Sequence, residues 1–144
     1  MEALRPKTYI VRLYLGAVAL YFVNKMAARS WVLGSDLPEF FHVFVLSVPN
    51  TLEAIMGMVM VAGILTALKQ RASPRLEVLS PAVITVVAAI LTGIYVLAQE
   101  FNIHDLGGRN VFDPYDVLAS VMGLALTSAL LLRYGIQREP AQTP

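Results

Sequence analysis

The stretch AQEFNIHDLGGRNVFDPYDVLASVMG, residues Ala98 to Gly123, decides the fold. It is the most polar passage of an otherwise apolar chain, with a long apolar run on each side. Glu100 closes the run before it and Asp116 opens the run after it. Between them lie His104, Asp105, Gly107, Gly108, Arg109 and Asp113. A transmembrane helix needs about 20 mostly apolar residues, and both flanking runs have that length. The pattern predicts two membrane helices joined by a polar connection.

Working outward, Ser80-Pro81 reads as an N-cap followed by a first helical residue. The third span then covers about 81–98, and the fourth about 114–132, ending at Arg133, Tyr134 and Gly135. Near the N-terminus a first span covers about 9–27, behind Arg5, Lys7 and Arg12 and with Asn24 and Lys25 at its far end. A cleaved signal peptide is the competing reading of that segment. The lack of a clear A-x-A site and the tyrosines at 9, 14 and 21 favour a retained helix.

Next, Asp36-Leu37-Pro38-Glu39 reads as a helix start, with Asp36 as N-cap. The run from Pro38 to Lys69 is too long for one span. Pro49 lacks an N–H and disfavours helix just before it. The expectation is therefore a break there, with a short interfacial or half-inserted helix over 38–48 and the second span over about 50–68. The predicted fold is an all-α, four-transmembrane-helix bundle, a single membrane domain over 1–135 with a polar tail over 136–144.

Composition agrees. Of 144 residues, 57% are hydrophobic and 15% charged, against about 25% charged in soluble domains. Mean hydropathy is +0.65. A net charge of +1 and the lack of a basic stripe give no sign of a nucleic-acid partner. The absence of cysteine removes disulfides, cysteine–zinc sites and thiol catalysis. No metal site or cofactor is expected.

Lys and Arg in short flanks set orientation. Eight of them (residues 5, 7, 12, 69, 71, 75, 133 and 138) fall on one side, and three (Lys25, Arg29 and Arg109) on the other. Both termini are therefore expected in the cytoplasm. The outer side then gathers Asp36, Glu39, Glu53, Glu100, Asp105, Asp113 and Asp116.

Each polar residue has a structural reading beside a functional one. Glu53 fits the first turn of a helix capped by Asn50, and equally a buried partner for Arg109 or Lys25. Asp113 is a good N-cap, with Asp116 in the first turn. Glu100 ends a helix, where the dipole disfavours an anion, so it needs a cation, and Arg109 is the nearest in sequence. The expected site is a polar cluster of Glu53, Glu100, Arg109, Asp113 and Asp116, serving a ligand or the fold. His104-Asp105 reads as solvated loop. No motif for an acyl-transfer nucleophile, a zinc protease or a phosphate loop is present, so no catalytic residue is assigned. Ala119, Gly123 and Thr127 recur every four residues, a stripe that lets helices approach closely. Ala89 and Gly93 on the third span are the expected answering face.

Glu100, Gly108-Arg109, Phe112-Asp113, Asp116-Val117-Leu118-Ala119 and Gly123 together resemble the C-terminal signature of the VanZ-like family of bacterial membrane proteins. That signature is an acidic residue ending a span, then a G-R-x-x-D-x-x-D-x-x-A-N-x-x-G type run. Here Asp113 stands four residues and Asp116 seven residues after Arg109, and Ser120 replaces the usual Asn. The resemblance covers about 25 residues and implies a multi-pass bacterial inner-membrane protein of the cell envelope. The resulting expectation is a protein that meets membrane lipids and binds a lipid-linked or amphipathic ligand at its outer polar cluster. The alternative is a small non-catalytic subunit of a larger membrane complex, with other membrane proteins as partners. An enzyme acting on a lipid-linked substrate comes third.

Overall fold

The computed structural model describes residues 6–71, 79–101 and 112–137. The first span, Thr8–Leu33, is α1 (Thr8–Val23), a π-helical turn (Asn24–Ala28) and α2 (Arg29–Leu33) in unbroken succession. It continues past the expected end at 27. Then come α3 (Glu39–Arg71), α4 (Pro81–Glu100) and α5 (Pro114–Tyr134). Among the described residues, four helices are thus long and apolar enough to cross a membrane. The architecture is that of a multi-pass membrane protein.

The helix starts follow local chemistry. Ser80 Oγ accepts from Val83 N–H at 3.2 Å ahead of Pro81. Asp113 Oδ1 accepts from Tyr115 N–H at 2.9 Å ahead of Pro114. Each cap satisfies a first-turn donor, and proline there forfeits an N–H that had no partner. At the end of α5, Gly135 takes φ of +69°, a conformation that side chains resist. Asp36 does not cap α3, which begins at Glu39 with the Pro38 carbonyl accepting from Phe41 N–H at 2.9 Å.

The expected break at Pro49 is absent, so 38–48 and 50–68 are not separate elements. Helix α3 runs through Pro49 for 33 residues, about 50 Å at 1.5 Å per residue. The reason lies in the first span. Pro49 offers no N–H to the Val45 carbonyl four residues back. Asn24 Nδ2 donates to that carbonyl instead, at 3.1 Å in a buried setting. A proline survives in a membrane helix when a neighbouring helix supplies the missing bond. Asn24 opens the π-helical turn.

Helix α3 is central, packing against α1, α4 and α5. Thr51 Oγ1 donates to the Ala119 carbonyl at 3.0 Å and Ser128 Oγ approaches Met58 Sδ at 3.6 Å, so α3 and α5 run parallel. They approach closely at Gly123, where a Cβ would lie 2.5 Å from the Thr51 carbonyl oxygen and 3.1 Å from Ala54 Cβ. The main answer to the Ala119, Gly123 and Thr127 stripe therefore comes from α3. Gly93 of α4 instead faces Leu124, 3.5 Å from its Cβ position. The core gathers Ile10, Met58, Val59, Ala62, Ile84, Ala88, Leu131 and Ile136.

One end of the bundle is tied shut. Lys7 N–H donates to the Ile136 carbonyl at 3.1 Å, and Tyr9 Oη to that of Gly135 at 2.6 Å. Lys7 Nζ donates to the Tyr134 carbonyl. The two ends of the described chain thus lie side by side. At the opposite end stand α2, the start of α3, the end of α4 and the start of α5, and there the acidic residues collect.

Candidate functional site

Helix α4 places Glu100 in this end. Thr92, Val96 and Glu100, four residues apart, form its buried face. Glu100 is only 5% exposed, and its Oε2 is buried with no hydrogen-bond partner among the described residues. Burying a carboxylate costs several kcal/mol unless it is paired or protonated. Its charged surroundings make this worse. Asp116, Asp113 and Glu53, all acidic, act on Glu100 electrostatically.

Asp116 sits half-buried in the first turn of α5. Its carboxyl group faces Ser47 and Asn50 of α3, and the Arg29 charge of α2 reaches it. Its Oδ1 is nonetheless a buried acceptor without a partner among the described residues, as is Ser47 Oγ. Asp113 is engaged in capping α5. Glu53 is half-buried in mid-α3. Because the helix runs on through Asn50 and Glu53, no free N–H groups await a cap there, and the capping reading of Glu53 is overturned. Lys25 is no partner for it either. Lys25 is exposed, and its Nζ stands 4.9 Å from the Tyr21 ring centroid. Arg109, the expected cation of the cluster, lies outside the described residues, as do His104 and Asp105.

The structure thus brings Glu53, Glu100, Asp113 and Asp116 to one end and adds Ser47, Asn50 and Arg29, which sequence reasoning did not assign to a site. The spacing of Ser47 and Asn50, three residues apart on an apolar helix, was the available signal. Asn24 was also missed. An amide in one apolar run and a proline inside another are a donor and a freed carbonyl that can satisfy each other. Around the mouth, Phe101 and Phe112 stack with centroids 5.3 Å apart, joining the end of α4 to the approach to α5. Helix α3 starts about two turns beyond α5 by the register of Thr51 on Ala119. Exposed Phe40, Phe41 and Phe44 stand on that projection and Trp31 on α2. Aromatic side chains of this kind suit the membrane–water interface.

Chemically, this arrangement accepts hydrogen bonds and attracts positive charge. Among the described residues no group of three or more His, Cys, Asp or Glu is placed to hold a metal ion. Comparison with protein-family models, with curated proteins and with solved structures returns no match.

Proposed function

We propose that this chain is a VanZ-like membrane protein of the bacterial envelope that binds the polar head of an amphipathic or lipid-linked molecule in its acidic mouth. The termini lie in the cytoplasm and the mouth opens on the outer face of the inner membrane. One observation carries the binding reading: Glu100 is buried beside Asp116 with an oxygen that has no partner among the described residues, an arrangement costly to the fold alone. A bound group that supplies hydrogen-bond donors offsets that cost. The distribution of Lys and Arg carries the orientation.

The alternative, a subunit of a larger complex, draws on the small-residue faces and on the lack of a catalytic motif. Ala119, Gly123 and Thr127 are buried within this bundle, so that stripe leaves no free face to recruit a partner. Photo-crosslinking separates the two readings. With benzoylphenylalanine in place of exposed Phe112, irradiated cells should yield the chain carrying a small-molecule adduct. A discrete band at the combined mass of two proteins would overturn ligand binding in favour of the complex.

A further inference from the structure

Resting on that binding reading, we infer that the head accepted by the mouth is a cation, specifically an organic ammonium on an amphiphile. Two carboxylate oxygens at this end, Glu100 Oε2 and Asp116 Oδ1, are buried without a hydrogen-bond partner among the described residues. Asp116 acts on Glu100, takes Ser47 and Asn50 as side-chain neighbours on α3 and feels the Arg29 charge, so Glu100 is the carboxylate of the pair with no cation acting on it among the described residues. Glu100 is the decisive member, because it is 5% exposed and water cannot solvate it freely. Among the described residues, the charged groups acting on Glu100 are all acidic. A phosphate or carboxylate head would meet repulsion from Glu53, Glu100, Asp113 and Asp116. A neutral sugar would supply donors but no positive charge for Glu100, on which no cation acts among the described residues. An ammonium supplies three N–H donors and a positive charge in one compact group, and hydrogen bonds between charged groups are the strong ones. Among the described residues no group of three or more His, Cys, Asp or Glu is placed to hold a metal ion. The projecting Phe40 and Phe44 and the stacked Phe101 and Phe112 give the alkyl part an apolar rim.

The test uses the full chain purified in a mild polyoxyethylene ether detergent, which has no sugar head, and four probes: dodecylamine, dodecyl phosphate, dodecyl glucoside and ethanolamine. Saturable binding is read by calorimetry and by the shift in unfolding temperature. Dodecylamine should bind saturably at neutral pH, and Glu100→Gln should weaken it about ten-fold or more, the worth of one charge-assisted hydrogen bond. Asp116→Asn should act in the same direction, and Glu39→Gln, exposed at the start of α3, should leave binding unchanged. Glutamine matches glutamate in size, and far-UV circular dichroism of each variant confirms the helical bundle. Saturable binding of dodecyl phosphate or dodecyl glucoside without dodecylamine overturns the cationic head and leaves an amphiphile-binding protein. Ethanolamine binding as tightly as dodecylamine supports the ammonium site and overturns the amphiphile. Binding by none of the four overturns both.

Discussion

Replacing Asn24 by alanine tests how α3 crosses Pro49. The amide donates to the Val45 carbonyl at 3.1 Å, and the two residues are 6% and 4% exposed. Without it, a buried carbonyl loses its donor, a change that costs about 1–3 kcal/mol in proteins generally. Measured side-chain bonds between membrane helices average about 0.6 kcal/mol, with a maximum near 1.7. The burial at Asn24 places the expected loss toward the upper end, about 1–1.5 kcal/mol. The diagnostic comparison is the same change in a Pro49→Ala background. Alanine restores an N–H at 49, the Val45 carbonyl regains its helical partner, and Asn24 loses its task. The Asn24→Ala cost should then fall by about 1 kcal/mol, a coupling measured by a double-mutant cycle. The assay is unfolding by sodium dodecyl sulfate in mixed micelles, followed by far-UV circular dichroism. An equal cost in both backgrounds would refute the reasoning and show that the amide supports something other than the proline gap.

Three further outcomes follow. Gly123→Ala should destabilise the bundle by about 2 kcal/mol or more through overpacking, since the new Cβ would meet the Thr51 carbonyl oxygen at 2.5 Å. Helix propensity alone predicts a gain of about 1 kcal/mol, so the sign of the shift in unfolding midpoint decides. Asp113→Ala should cost about 1 kcal/mol by removing the cap on Tyr115 N–H, and Asp113→Asn should recover most of that in the same assay. Glu100→Gln should leave the ligand-free midpoint unchanged or raised, because removing a buried unpaired charge relieves desolvation. A clear fall would mean that Glu100 holds an ion pair essential to the fold.

The spans were legible because each is a run of apolar residues at membrane-crossing length, a signal that needs no partner to interpret. The caps at Ser80-Pro81 and Asp113-Pro114 were legible for a similar reason, since donor and acceptor lie within three residues. Continuity of α3 was not. Whether Pro49 breaks a helix depends on a donor from Asn24, and the 21 residues between Asn24 and Val45 are bridged only in the folded bundle. The small-residue stripe of α5 identified a packing face, but spacing on one helix cannot say which other helix answers it, and α3 took the place expected of α4. At the mouth, the acidic residues were visible in sequence. Ser47, Asn50 and Arg29 were not, because they belong to other spans and reach Asp116 only through the parallel packing of α3 beside α5 and the position of α2.

The most direct measurement is the native mass of the particle extracted in a mild detergent, for the parent chain and for Glu100→Gln. A ligand held by the carboxylate mouth predicts the chain with a reproducible small-molecule adduct, absent or strongly depleted in Glu100→Gln. A bare chain in both samples, or other proteins bound in fixed ratio, would contradict it.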